Sequence, residues 1–408
     1  MSEVKEEIKS KGIIIWVSSS PFVGDACGKQ SHYVCKGLVE AGYDVEYLAW
    51  NWKGIASGAV YDIDGAIVFY PYGLNSVISG AKKLYNLHCL DKLVYETLLS
   101  TKPQAIVTLG DFQNVYPIGQ MAAEKNVKWY NWFPFDYIDW EVTVAKAYYE
   151  LDCHLVTMSD WGYKLASENF YQPTANIYHG VDTGIFRPST LKKTETRKLV
   201  NLPDTVANNF IVGFVGQNME RKRLDKLIEG FSLFAKGKSN VTLLAHTNPF
   251  QDDRVNPSYP LVEMAARSGL TNNFLYTHPV NYAIKYSDNA MANLYNSMNI
   301  MVLPSSGEGF GVPVLEGNAC GIPTIMTNST SAQQLVGQGQ GYLADVDSTY
   351  IFRGFRRAMV SAKSIAKWLE FTYNNPNALL QTSATAVADA QKYDFKLIQS
   401  QWVDLLSK

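Results

Sequence analysis

Apolar runs of five to seven residues punctuate the first part of the chain, at Ile13–Val17, Val45–Trp50, Ala66–Tyr70, Ala105–Leu109, Lys128–Phe133 and His154–Met158. Between several of them lie stretches that read as helices, clearest at Ser31–Ala41, Lys83–Ser100, Tyr116–Lys125 and Asp160–Phe170. Buried β-rich runs alternating with helices predict a parallel sheet covered on both faces. The alternation pauses over residues 187–209, RPSTLKKTETRKLVNLPDTVANN, which read as a polar linker without a strand. It resumes with FIVGFVG (210–216), VTLLAH (241–246), FLYTH (274–278), IMVLP (300–304) and PTIMT (323–327). The pattern predicts an α/β chain of two doubly wound, Rossmann-like domains, residues 1–190 and 205–385, facing a central cleft. Phe395, Ile398, Trp402 and Leu405–Leu406 recur at helical spacing. They predict a closing amphipathic helix, about 390–408, that packs back on the first domain.

Composition narrows the reading. With 408 residues, 47% of them hydrophobic, the chain can bury two cores of ordinary size. A formal charge of −2 without long like-charge blocks gives no nucleic-acid footprint. The longest apolar runs are strand-sized, too short to span a bilayer. The charged start MSEVKEEIKSKG has no signal-peptide apolar region behind it. Together these point to a cytoplasmic protein without an integral membrane segment, and a loose peripheral association is compatible with them. The five cysteines form no C-x-x-C pair and read as reduced thiols. Aromatic content is 13%, with 25 tyrosines, which suits pockets needing an apolar body and a polar tip.

In open parallel sheets, ligands bind beyond the carboxyl ends of the strands. One such end reads PSSGEGFGVPVLEGNACGIP (304–323). Gly307, Gly309 and Gly311 form a loop of little bulk, and Val312-Pro313 opens a helix whose first turn tolerates proline. A helix start offers free N–H groups and partial positive charge, a seat for phosphate. Glu308 and Glu316 flank that seat, eight residues apart, about 12 Å if helical. That is roughly the reach from ribose to hexose in a nucleotide-sugar. The bland reading is a dipole-partnered glutamate on an ordinary strand-to-helix turn. A second strand end, GFVGQNMERKRLDKLIEGF (213–231), sets Arg221, Lys222 and Arg223 before a helix. Cations there could neutralise a diphosphate and stabilise it as a leaving group.

Together these segments resemble the retaining glycosyltransferases of family four, which have the GT-B fold. EGFGVPVLEGNACGIP is similar to that family's E-x7-E signature. YHGVDTGIFRP (178–188) looks like its G-V-D stretch, and the strand–loop–helix around Gly28 like its first glycine loop. The resemblance implies that Glu308 contacts donor-sugar hydroxyls and that Glu316 holds the ribose. It implies that Gly309, Phe310, Gly311 and Val312 serve sugar and phosphate, and that Gly28 lies beside the diphosphate. Lys222 takes the place of the family's lysine. Gln217 stands where the family has arginine, and Arg221 is close enough to supply that charge. Asp136, in NWFPFDYIDW, stands in the place of the family's cleft histidine, ahead of His154 and His179.

The expected activity is transfer of a hexose from a nucleotide-sugar to an acceptor hydroxyl, glycan, lipid-linked or small, with retained configuration. The expected catalytic residues are Glu308, Lys222 and Asp136. The nucleotide-sugar is substrate, and no cofactor or metal is expected. The triplets Asp62-Ile63-Asp64 and Asp345-Val346-Asp347 read as turn aspartates rather than metal ligands. The alternatives are a GT-B nucleotide-sugar epimerase and a non-catalytic glycan- or partner-binding protein. A phosphorylase would need a pyridoxal-phosphate lysine, for which no signal appears. The stretch 278–286 is expected against the nucleotide base.

Overall fold

The computed structural model describes residues 10–21, 25–50, 61–63, 67–71, 98–140, 142–169, 171–251, 258–278, 286–352 and 354–408. The six apolar runs of the first half become strands β1 (Ile13–Ser19), β2 (Asp44–Trp50), β4 (Ile67–Pro71), β5 (Ala105–Leu109), β6 (Lys128–Phe133) and β7 (His154–Thr157), and two short strands outside those runs, β3 (Tyr61–Ile63) and β8 (Ala175–Asn176), join them. They form one sheet in the order β3-β4-β2-β1-β5-β6-β7-β8. Only β3 runs antiparallel to its neighbour. The central strands are buried along their length, as their unbroken apolar runs require.

The second half repeats the plan with β9 (Phe210–Val215), β10 (Val241–His246), β11 (Phe274–Tyr276), β12 (Ile300–Leu303), β13 (Thr324–Thr327) and β14 (Tyr342–Ala344). Their sheet is all parallel, in the order β11-β10-β9-β12-β13-β14. The reversal of strand order around β9 and β12 places the loops after those two strands side by side, at the switch point where ligands bind.

Two further features lie outside the hydrophobic pattern. The linker holds a helix, Lys193–Leu199. Lys193 Nζ donates to the carbonyls of Asn296 (3.0 Å) and Met298 (2.5 Å), and Arg197 to those of Ser297 (3.0 Å) and Ala207 (2.7 Å). Basic side chains thus satisfy the open carbonyls ending the helix Asp288–Asn296. The second feature is an antiparallel hairpin, β15 (Val346–Phe352) and β16 (Phe355–Val360), outside both sheets. It reaches the first domain: Ile138 N donates to Arg356 O (2.9 Å), and the Tyr137 and Phe355 rings stack at 4.4 Å.

The chain crosses between domains twice, at adjacent points. Val181 N donates to Tyr393 O (2.8 Å) and Phe395 N to Val181 O (3.0 Å). The final helix, Phe395–Leu406, lies against helix Ala26–Glu40 of the first domain. Its Trp402 is fully buried, edge-on to Trp16 and Trp132 at 5.2 Å each.

Candidate functional site

The loop after β12 is buried from Pro304 to Gly311. Gly311 sits at φ +117° and starts the helix Val312–Ala319, a backbone setting that an L side chain strains. Thr330 Oγ1 accepts from Glu308 N (3.0 Å), and Ser331 Oγ donates to the carbonyls of Glu308 and Phe310. Thr330 itself is a buried, β-branched residue at φ +49°, a strained conformation held by this packing.

The Glu308 carboxylate is 7% exposed and doubly paired. Lys222 Nζ donates to Oε1 at 2.5 Å, and Arg221 Nη1 lies 3.1 Å from Oε2. Both cations stand on the short turn Glu220–Lys222 that follows β9. Burial works to raise the Glu308 pKa, but Lys222 and Arg221 outweigh it and hold it at about 2. Burial pushes Lys222 down, with Glu308 opposing and Arg221 adding to the fall. Arg221 is held above its usual range because Glu308 and Asp136 overcome its burial.

Asp136 joins this cluster from the first domain, at the end of β6. Its Oδ2 lies 3.2 Å from Arg221 Nε. Its Oδ1 and its backbone carbonyl both receive Arg357 of β16, at 3.0 and 2.6 Å. Gly307 is a glycine because a Cβ there would lie 2.0 Å from the Asp136 carbonyl. The two domains therefore touch backbone to backbone beside Glu308.

Glu316, 6% exposed, has a different set of partners. Lys29 of the first domain donates to Oε1 (2.6 Å), and Tyr295 Oη donates to Oε2 (2.7 Å). Lys29 also pairs with Asp288 (2.9 Å) and lies over the Phe186 ring at 4.3 Å. Burial lowers the Lys29 pKa, yet Glu316 and Asp288 bring it above the ordinary value. Sequence reasoning missed Lys29, Asp288, Tyr295 and Arg357. Their partners lie far along the chain, and the one local signal was Lys29's place beside Gly28.

The other expected residues divide. Gly28 is buried, and its N–H donates to Asp25 Oδ1 (2.7 Å), the cap of helix Ala26–Glu40. Gln217 is exposed. Phe310 turns away from the carboxylates, with its ring 5.6 Å from both His179 and Tyr393. Gly309 packs on Pro134, where a Cβ would come within 2.8 Å. Val312 is buried at the helix start. His179 is buried with both ring nitrogens unpartnered among the described residues, and burial pushes its pKa down to about 3. His154 is half-buried at the start of β7 and stacks on Tyr130 at 4.7 Å. Residues 279–285 of the expected base contact, Asp64 and Cys89 lie outside the described residues. Among the described residues no three His, Cys, Asp or Glu side chains converge as a metal site, and no helix is long and apolar enough to cross a membrane. An interdomain cavity of about 290 Å³ opens beside Thr330, lined by Ile138, Trp161, Asn328, Gln333 and Ala358.

Over one span this geometry coincides with a match to a known family. The profile described as Glycosyl transferases group 1 matches residues 200–372. The match covers less than half of the chain. That span holds both glutamates, Arg221, Lys222 and Arg357. Among curated proteins, the capsular polysaccharide biosynthesis glycosyltransferase CapM of Staphylococcus aureus is 30% identical over 139 residues, 34% of this chain and 33% of that protein. The D-inositol 3-phosphate glycosyltransferase of Mycolicibacterium smegmatis is 25% identical over 224 residues, 52% of this chain and 48% of that protein. The chain thus spans between a third and a half of these relatives' length. The whole fold is similar to sucrose-phosphate synthase from Thermosynechococcus elongatus, with TM-score 0.75, 16% identity and coverage of 96% of this chain and 98% of that one. It is also similar to Anabaena HepE in complex with UDP and glucose, with TM-score 0.70, 16% identity and coverage of 97% and 99%. The architecture is the GT-B fold.

Proposed function

We propose that this protein is a retaining glycosyltransferase that moves a hexose from a nucleoside-diphosphate sugar to an acceptor hydroxyl. The observation carrying the proposal is the buried Glu308–Lys222–Arg221 cluster at the switch point of a parallel sheet. Lys222, buried, and Arg221, half-buried, are gathered at this strand end, where an anion can draw on both. The helix starting at Val312 adds free N–H groups and a positive end beside it. HepE, which shares the fold, is described with UDP and glucose, and a nucleoside-diphosphate sugar is the ligand these charges suit.

In this reading Lys222 and Arg221 stabilise the diphosphate as charge grows on it during departure. The sugar passes through an oxocarbenium-like state. Glu308 orients the sugar through its hydroxyls. Both its oxygens are ion-paired, which suits an orienting carboxylate better than a covalent nucleophile. Retention then follows from attack by the acceptor on the leaving-group face. Glu316 takes the ribose hydroxyls after exchanging a partner, and Asp136 lies at the sugar's side of the cleft. The Gly307–Asp136 contact excludes water when the domains are closed, limiting hydrolysis of the donor. No metal is needed if the cations serve the diphosphate. The acceptor is a glycan, a lipid-linked sugar or a small alcohol, met in the cytoplasm or at a membrane surface.

The test is calorimetric titration with UDP, GDP and ADP and their common sugar conjugates, without metal. Tight binding of one nucleotide and turnover of its sugar conjugate are expected. Failure of all three to bind would overturn the reading.

A further inference from the structure

Three cations follow one another in MERKRLD (219–225), and the proposed donor site draws on the first two. Arg221 and Lys222 pair with Glu308. Arg223 takes other partners. Its backbone stands at φ +50° and ψ +44°, in the left-handed region that a long side chain rarely enters. It ends the turn Glu220–Lys222 and opens the helix Leu224–Ala235. Glycine would make this junction without strain. An arginine there carries strain that its side chain must offset.

The side chain has the contacts to do so. Nη1 donates to Glu220 Oε1 (2.9 Å) at the start of the turn, and Nη2 donates to Asp225 in the first turn of the helix. The guanidinium lies over the Tyr350 ring, 5.7 Å from its centroid. Tyr350 belongs to β15, and its hydroxyl donates to the same Glu220 Oε1 (3.0 Å). One planar fork thus joins the turn, the helix and the hairpin. Its side chain is 11% exposed, so solvent screens these pairs little. The turn is also tied to the Glu308 loop. Ser306 N and Oγ both donate to Arg221 O (2.8 and 3.1 Å), and Arg221 Nη1 donates to Gly307 O (2.6 Å). It is therefore anchored twice, through Arg221 to the Glu308 loop and through Arg223 to the helix and the hairpin.

We propose that Arg223 is a positioning residue of the donor site: its guanidinium fork fixes the turn that presents Arg221 and Lys222, so that both cations meet the diphosphate of a nucleoside-diphosphate sugar together. The inference rests on the donor reading above. Arg223 acts through its two neighbours rather than on the substrate. Cations on a turn fixed beforehand lose little freedom when the anion arrives, and that is the source of the gain.

The experiment is calorimetry on the full chain with UDP, GDP and ADP, each compared with its monophosphate. Wild type should bind one diphosphate more tightly than the matching monophosphate, because Arg221 and Lys222 serve the second phosphate. Arg223→Gly suits the backbone without strain, so its melting temperature should stay close to that of wild type. Its affinity for the diphosphate should fall about tenfold, while that for the monophosphate changes by less than about threefold. Arg223→Lys keeps a cation but loses the fork, and should show a smaller loss, again on the diphosphate alone. An arginine that served stability only would weaken both nucleotides alike or neither. An unchanged ratio of the two affinities in Arg223→Gly, or in Arg223→Lys should the glycine variant not fold, overturns the inference and leaves the donor reading standing. Wild type that binds none of the nucleotides overturns the donor reading and this inference with it.

Discussion

Glu308 and Glu316 are the same residue, equally buried, on one loop and the helix it opens, yet they are held in opposite ways. Glu308 takes Lys222 and Arg221 from its own domain, both on the turn after β9. Glu316 takes its cation, Lys29, from the other domain. The difference teaches where preorganisation resides. The Glu308 pairs survive any movement of one domain against the other. The Glu316 pair exists only while the domains are closed as they are here. One carboxylate belongs to a fixed site, and the other reports the state of the cleft.

Glu308→Gln and Lys222→Ala test the fixed half and should have the largest effect, a loss of about a hundredfold or more in kcat for sugar transfer. Steady-state turnover of the donor found by calorimetry checks this, and near-wild-type rates in both would remove the assignment.

Lys29→Met tests the closure-dependent half. Without the tie across the cleft, the radius of gyration from small-angle scattering should rise, whereas Lys222→Ala should leave it unchanged. Equal radii in wild type and Lys29→Met would show that Glu316 is not coupled to closure.

The two domains also differ in what acid does to them. Burial holds His179, against Phe310 at the domain junction, at about 3 and His246 at about 4. The unfolded chain binds protons on these rings below about 6.5 while the folded chain refuses them. Stability should therefore fall as pH drops from about 6.5 toward 4, and His179→Gln should flatten that slope. Glu308, held at about 2, adds a contribution that is present above the ordinary carboxylate range and is lost only as pH falls toward 2. Denaturant melts at stepped pH values measure both. A slope unchanged in His179→Gln would discount the buried ring.

The smallest change is expected from Gln217→Arg. A guanidinium at this exposed position should tighten nucleoside-diphosphate binding a few-fold at most, because solvent screens it. Weaker binding would give the glutamine a role of its own.

The fold was legible because burial imposes a local rule. Strands covered on both faces must be apolar throughout, so β1, β5, β9, β10 and β12 announce themselves in five to seven residues. The glycines and proline around Glu308 were legible for the same reason, since loop and helix start are set by neighbours in sequence. The hairpin was not. Its β15 strand is largely exposed, and VDSTYIF carries no apolar stripe for a core to select. The helix in the linker was hidden because its lysine and arginine serve carbonyls about a hundred residues away. Lys29 and Arg357 are also pairings of distant residues, 287 and 221 positions from their partners, and a sequence read locally holds no trace of them.

The paired crossings at Val181 and Asp394 have a consequence for inheritance. The first domain is completed by the helix Phe395–Leu406, so everything between the two crossings is an insertion into a finished host. Entry and exit of the insert lie one hydrogen bond apart. Such a cassette can be exchanged whole without breaking the host's core. Under the proposed function, donor and acceptor preference could then drift independently, provided the incoming cassette still offers Lys29 a carboxylate and Asp136 a pair of guanidinium groups.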